Sequence, residues 1–315
     1  MRQIVYKIER FDGTKSYVQE YAFAYEPSKT VLWGLMKIQE TMDASLAFIA
    51  TCRCAVCGAC AVRINGQAML ACETPLDAVL DRFGDVLNIA PLKNFKIIRD
   101  LVVDWEAKAQ RLAQIKPWLL PRSDFSAESG CLQSPKDMKK ISTQINCILC
   151  GACASECNKL SADDRDFYEP YMYTKTQRFV DDSRDASEKE HLDPVLEQGL
   201  WSCVHCQECV TKCPKHVEPA EDIARLRRRS IRMGETGRPG ARHALAFRDD
   251  LEATGRLNEV KMAIKTEGLF KAATRFPFAL RLMRKGKLNP LHSPAPVKGI
   301  QQVRSIIEAV KDMEK

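Results

Sequence analysis

Apolar and polar residues alternate at the start of the chain and then change period. Ile4, Tyr6 and Ile8 alternate with polar neighbours, Asp12-Gly13 stands at a turn, and alternation resumes from Val18 to Tyr25, so residues 4–25 are predicted to form a hairpin. Over residues 30–42 the apolar positions Val31, Leu32, Leu35, Met36 and Ile38 follow helical spacing. Residues 61–64 and 68–72 flank Asn65-Gly66, a strong short-range hairpin signal, and residues 86–90 read as one more strand. These pieces predict a small mixed sheet with one helix laid across it. Near residue 100 the strand pattern gives way. Residues 97–115 have helical spacing, ended by Pro117 and Pro121. From there to about residue 233 helices are predicted between cysteine-rich loops, with the polar stretch 181–190 as a surface loop. More helix is predicted at 241–255, 257–264 and 300–313, and an extended linker at 285–298, which holds Pro290, Pro294 and Pro296. The expected class is α+β, with domains at 1–105, 106–235 and 236–315.

Length and charge narrow this picture. A chain of 315 residues has room for two or three domains with their own cores. It contains no apolar run of 18 residues, so no spanning helix is expected. The start, from Met1 to Lys7, runs straight into strand alternation and does not read as a secretion signal. Residues 221–315 hold 21 Lys and Arg against 11 Asp and Glu, a balance of +10 in a chain of net +7, so the rest carries −3. A basic tail on a near-neutral body suits an anionic membrane surface, an acidic partner or nucleic acid. Few aromatics are interleaved with these charges to stack bases, so nucleic acid is not an expected partner.

The 14 cysteines carry the chemistry. They stand in tight clusters, the arrangement of metal ligands and not of a disulfide framework. Cys52-x4-Cys57-x2-Cys60 followed by Cys72 has plant-type ferredoxin spacing, which predicts a 2Fe–2S cluster; zinc sites instead pair two C-x2-C knuckles. Gly58, Ala55 and Ala59 are small enough to let the loop backbone approach a cluster. Cys147-x2-Cys150-x2-Cys153-x3-Cys157 recurs with identical spacing as Cys203-x2-Cys206-x2-Cys209-x3-Cys213, the bacterial ferredoxin run. In two-cluster proteins the fourth cysteine of each run serves the other cluster. That assigns Cys147, Cys150, Cys153 and Cys213 to one 4Fe–4S cluster, and Cys203, Cys206, Cys209 and Cys157 to a second. Cys54 and Cys131 are left as non-ligands. No nucleophile–base pair, phosphate-binding Gly-rich loop or His-carboxylate metal triad accompanies these sites, so no catalytic residue is expected. The pattern predicts a redox subunit that works with partners.

The residues also resemble a known family. Thr51-Cys52-Arg53, Cys57-Gly58-x-Cys60, Pro91-Leu92-x-Asn94-Phe95, Ile98-x-Asp100-Leu101-Val102-Val103-Asp104 and Cys147-Ile148-Leu149-Cys150-Gly151-Ala152-Cys153 are similar to the iron–sulfur subunit of succinate dehydrogenase and fumarate reductase. The likeness covers about residues 1–230. It implies a plant-type ferredoxin (β-grasp) domain, an α-helical two-cluster ferredoxin domain and a helical C-terminal extension. It also implies a partner flavoprotein that handles a dicarboxylate at FAD, a membrane anchor or cysteine-rich-domain partner, and a quinone near the third cluster. The place implied is a peripheral membrane complex at the cytoplasmic face, or an exported complex carried by a signal-bearing partner. Most members leave the Cys206 position without a cysteine and hold a 3Fe–4S cluster, so the fourth sulfur here predicts 4Fe–4S. Asn158 stands where the family has Pro, and His205 beside the third site reads as a loop histidine. Gly240-Ala241-Arg242-His243-Ala244 and Thr254-Gly255-Arg256-Leu257-Asn258-Glu259 resemble heterodisulfide reductase iron–sulfur subunits. The alternative they raise is a thiol-linked or other flavoprotein complex.

Overall fold

The computed structural model describes residues 2–313 apart from 122–125, 129, 275, 288 and 290–293. By internal contacts the chain divides into two units, Met1–Leu226 and Arg227–Lys315.

The first unit opens with β1 (Gln3–Phe11) and β2 (Ser16–Ala24), antiparallel from Gln3 opposite Ala24 to Phe11 opposite Ser16. The turn closes because Asp12 Oδ1 accepts from the N–H groups of Thr14 at 2.8 Å and Lys15 at 3.0 Å. Helix α1 (Val31–Thr41) follows, its Thr30 hydroxyl accepting from the Trp33 N–H. Strands β3 (Ala61–Ile64) and β4 (Gln67–Leu70) form the Asn65-Gly66 hairpin. Helix α2 (Leu76–Phe83) leads to β5 (Val86–Ala90), which runs parallel to β1 and antiparallel to β3. The sheet order is β2-β1-β5-β3-β4. Ile4, Tyr6 and Ile8 of β1 and Val31, Leu32, Leu35 and Ile38 of α1 share one buried core, as the two periodicities predict.

Residues 97–115 are not one helix. They form the short antiparallel pair β6 (Ile97–Arg99) and β7 (Val102–Val103), then α3 (Glu106–Gln114). Asp100 between the strands has φ 46° and is 1% exposed. Its carboxylate accepts from the N–H groups of Phe11 and Ala47 and lies 2.9 Å from the Arg10 guanidinium, which also meets Asp43 at 2.7 Å. These long-range contacts hold the segment and deliver Leu101 and Val103 to the sheet's core, against local helical preference. Helix α2 is a second helix on the sheet that the periodicity reading left out.

The rest of the unit is helical: α4 (Pro135–Ile145), α5 (Ala152–Ser155), α6 (Asn158–Ala162), α7 (Pro170–Val180), α8 (Glu188–Glu197), the 3-10 turn Leu200–Ser202, α9 (Glu208–Thr211) and α10 (Pro219–Arg232), within which the unit ends. The polar stretch 181–190 is not a plain surface loop. Asp182 is 3% exposed and ion-paired to Arg184, and Asp185 accepts from the Leu120 N–H and bonds the buried His191.

The second unit holds α11 (Pro239–Thr254), α12 (Glu259–Glu267), α13 (Leu269–Thr274), α14 (Phe276–Arg284) and α15 (Ile300–Met313). Helices α13 and α14 were not foreseen. Of the expected linker, Pro294 and Pro296 lie in irregular backbone, and Pro290 falls outside the described residues. Among the described residues no helix is long and apolar enough to cross a membrane.

Candidate redox site

Three groups of cysteines form where the spacing expects them. The loop before β3 carries Cys52, Cys57 and Cys60, and Cys72 joins them just after β4. Left-handed backbone at Arg53 (φ 58°), Ala55 (φ 61°) and Gly58 (φ 76°) turns the loop inward. The Cys52 sulfur accepts from the N–H groups of Cys54, Val56 and Cys57 at 3.3–3.5 Å, and Cys72 accepts from Ala55 at 3.3 Å. Those donors, led by Cys54 N–H, bring the Cys52 thiol down to about 6, toward the thiolate a ligand must be. Burial pushes Cys60 up to about 12, and its thiol bonds Cys72. Cys54 is exposed and its thiol bonds that of Cys52. Cys131 is exposed and precedes α4.

The second group gathers Cys147 and Cys150 from the loop after α4, Cys153 from α5 and Cys213 from the segment after α9. All four line one cavity, together with Tyr171, Pro214 and Val217. The Val217 N–H lies 3.3 Å from the Cys213 sulfur, and the Lys175 ammonium donates to the Cys147 carbonyl at 2.9 Å. Burial raises Cys153 well above its ordinary value and Cys150 to about 11.

In the third group Cys157 caps the start of α6, Cys203 follows the 3-10 turn, and Cys206 and Cys209 stand before and within α9. Cys157 feels the charge of Cys203 and Cys206, and Cys209 that of Cys203, Cys157 and Cys206. Burial lifts Cys209 to about 12, while Cys206 is exposed. His205 is half-buried, and its N–H reaches the Cys203 sulfur at 3.4 Å.

The sequence repeat is also a backbone repeat. Left-handed residues stand at Leu149 (φ 56°) and Gly151 (φ 82°) in one run and at the same places, His205 (φ 53°) and Gln207 (φ 65°), in the other. Such alternation points successive N–H groups to one side, the arrangement that receives the negative sulfurs of a cluster. Backbone N–H groups reach the sulfurs of Cys52, Cys72, Cys203 and Cys213. The residues present fit iron–sulfur clusters.

The groups stand in a row. A Cβ on Gly58 would lie 2.8 Å from the Cα and Cβ of Cys150, so the first loop rests on the second group. A cavity of about 250 Å3 lined by Cys57, Leu149, Cys150 and Trp105 lies at that contact. Cys153 of α5 in turn shares a buried core with Cys209 of α9 in the third group. Spacing alone missed what clamps this row. Asn94 donates to the carbonyls of Ala154, Ser155 and Cys157 at 2.8–3.4 Å, and Phe95 and Trp105 pack on Gly151. The Pro91-Leu92-x-Asn94-Phe95 string was their signal.

Comparison with known proteins agrees with this geometry. Residues 4–110 match a family described as a 2Fe-2S iron-sulfur cluster binding domain, and residues 143–217 one described as a 4Fe-4S dicluster domain. The chain is 45% identical over 311 residues to the 8-methylmenaquinol:fumarate reductase iron-sulfur subunit of Wolinella succinogenes, covering 96% of this chain and 97% of that one. It is 33% identical over 204 residues to the fumarate reductase iron-sulfur subunit of Escherichia coli, covering 64% and 82%. It is 32% identical over 240 residues to the succinate dehydrogenase iron-sulfur subunit of Coxiella burnetii, covering 74% and 100%. Among solved structures, a chain of the Mycobacterium smegmatis Sdh1 complex shares the fold, with a TM-score of 0.66 at 23% identity over 73% of this chain and 96% of that one.

Proposed function

Because the chain belongs to the iron–sulfur subunits of the fumarate reductase and succinate dehydrogenase family, we propose that it relays electrons between an FAD-bearing dicarboxylate flavoprotein and a membrane-side subunit that meets quinone. It is a redox subunit of an oxidoreductase complex, with one 2Fe–2S and two 4Fe–4S clusters. The observation that carries the proposal is the row: the first loop seated on Cys150, and Cys153 in one buried core with Cys209.

Each cluster, when bound, supplies a one-electron carrier. In our reading Cys52, Cys57, Cys60 and Cys72 hold the 2Fe–2S cluster, Cys147, Cys150, Cys153 and Cys213 the first 4Fe–4S, and Cys157, Cys203, Cys206 and Cys209 the second. The chain's own work is to present thiolates, aim N–H donors at sulfur and exclude water from the buried members. The three-domain division at 105 and 235 is part of the same reading. The net +10 of residues 221–315 and the exposed Phe276 and Phe278 support docking of the tail at an anionic or membrane-side partner.

The test uses the complex purified anaerobically from its membrane. Succinate should reduce the 2Fe–2S centre, seen by low-temperature electron paramagnetic resonance, and the oxidised sample should show no 3Fe signal. Cys206→Ser should produce a 3Fe signal at the third site alone. Intact clusters that succinate does not reduce, and that fumarate does not reoxidise after reduction by quinol, would sink the dicarboxylate reading in favour of a thiol-linked or other flavoprotein complex.

Cys54→Ala should leave all three clusters in place, because the plant-type x4 and x2 spacing takes Cys52, Cys57 and Cys60 and passes over Cys54. Iron content and the 2Fe–2S signal check this; loss of that signal would place Cys54 among the ligands.

A further inference from the structure

Three buried tyrosines stand close together in sequence, and two of them have evident partners. Tyr168, Tyr171 and Tyr173 are each 2% exposed or less. The Tyr168 hydroxyl donates to Gln114 Oε1 at 2.6 Å, and the Tyr173 hydroxyl donates to the Gln198 carbonyl at 3.0 Å. Among the described residues the Tyr171 hydroxyl has no hydrogen-bond partner. A buried phenol normally finds one, because leaving its O–H dry forfeits the bond it made in water.

The surroundings say what the partner is. Tyr171 lies in the first turn of α7 and lines the cavity walled by Cys147, Cys150, Cys153 and Cys213. Its ring packs 6.2 Å from that of Trp105, which itself rests on Gly151. Glu169 Oε1 is taken by Lys108 at 2.7 Å and Arg111 at 3.2 Å, and its Oε2, buried and without a hydrogen bond among the described residues, does not bond the Tyr171 hydroxyl. A phenol ordinarily titrates near ~10, so at neutral pH the Tyr171 hydroxyl is a donor.

We infer that the Tyr171 hydroxyl donates a hydrogen bond to a sulfur of the 4Fe–4S cluster held by Cys147, Cys150, Cys153 and Cys213, and so raises that cluster's reduction potential. The inference rests on the ligand set proposed above. Reduction adds negative charge to the sulfurs, so a donor aimed at them is worth more in the reduced state than in the oxidised one. The bond also gives a buried polar atom its missing partner.

The test is an electron paramagnetic resonance redox titration of the full chain carrying all three clusters. The cluster is assigned to this site by its loss in Cys213→Ala. At the potential where the wild-type cluster is half reduced, Tyr171→Phe should show a reduced-to-oxidised ratio lower by about three- to tenfold, with the other two clusters unmoved. Tyr173→Phe removes the same atom from the same core and should leave the ratio unchanged, because its hydroxyl serves Gln198. An unshifted ratio in Tyr171→Phe, or an equal shift in Tyr173→Phe, would overturn the inference while leaving the ligand set standing. Survival of the signal in Cys213→Ala would overturn the ligand set, and the inference with it.

Discussion

Gly58→Ala is expected to yield a chain that fails to assemble its 2Fe–2S loop and loosens the neighbouring 4Fe–4S site. Two costs add. The residue has φ 76°, a conformation that an L side chain adopts at about 1–2 kcal/mol. The new methyl would also stand 2.8 Å from the Cα and Cβ of Cys150, far inside the roughly 3.5–4.0 Å at which two carbons rest. Both of those atoms belong to or adjoin backbone held by the second cysteine group, so they cannot swing aside as the end of a long side chain would. Overpacking of this kind costs about 1–3 kcal/mol, and relief requires the two loops to part. Gly66→Ala is the matched comparison. Gly66 has φ 81°, but its Cβ would meet only the Arg63 guanidinium at 3.9 Å. The two variants share the backbone penalty and differ in the contact. Iron per chain and the 2Fe–2S signal should fall in Gly58→Ala and hold in Gly66→Ala. A Gly58→Ala chain with full iron and an unchanged signal would mean that the first loop does not rest on Cys150.

The second large effect concerns pH. Asp222 of α10 is 1% exposed, and its carboxylate accepts from Gln144 Nε2 at 2.7 Å and the Thr174 hydroxyl at 2.8 Å. Burial pushes it up to about 6; the two donors and Arg225 pull the other way, and Asp181 adds to the rise. In the unfolded chain an Asp titrates near ~3.9. Between about pH 4 and pH 6 the folded chain therefore binds more protons than the unfolded one, so stability falls as pH rises through that window. Above it the ionised, buried carboxylate costs on the order of 3 kcal/mol, two pKa units at about 1.4 kcal/mol each. Asp222→Asn never ionises; its remaining oxygen can accept from Gln144, and its NH2 can donate to the Thr174 oxygen once that hydroxyl rotates. It should flatten this loss and be more stable than the wild type at pH 8 by about 1–3 kcal/mol. Urea unfolding of the cluster-loaded chain at pH 5 and pH 8 measures both quantities. An Asn variant less stable than the wild type at pH 8 would show that the carboxylate is kept for a favourable charge interaction.

The cysteine groups were legible because a cluster-binding run is a local object. Three cysteines of each group fall within a few residues of one another, and the turns that aim them depend on that spacing; only the fourth, Cys72, Cys213 or Cys157, comes from elsewhere in the chain. The repeated run carries over into a repeated backbone, with Leu149 and Gly151 matched by His205 and Gln207. The β1–β2 and β3–β4 hairpins were legible for the same reason, since alternation and the Asn65-Gly66 turn act between near neighbours. Residues 97–115 were misread because what decides them comes from far away. Asp100 is held by Phe11, Ala47 and Arg10, and that hold breaks a segment whose own periodicity favours helix. The stretch 181–190 failed likewise, Asp182 accepting from Gln133 and Asp185 from the Leu120 N–H.

By itself the sequence foretold the α+β class and the family, and it supplied the proposed grouping of 12 of the 14 cysteines. Spacing, period and motif act over a few residues and survive in one dimension. Only the tertiary structure decided that the first loop sits on Cys150, that Asn94 and Trp105 clamp the second group, that Asp222 is buried among neutral donors, and that Tyr171, its hydroxyl without a hydrogen-bond partner among the described residues, lines a cavity with four thiols. Each of these is a contact between residues dozens of positions apart. Packing density and the exclusion of water set them, and neither quantity is defined until the chain has closed on itself.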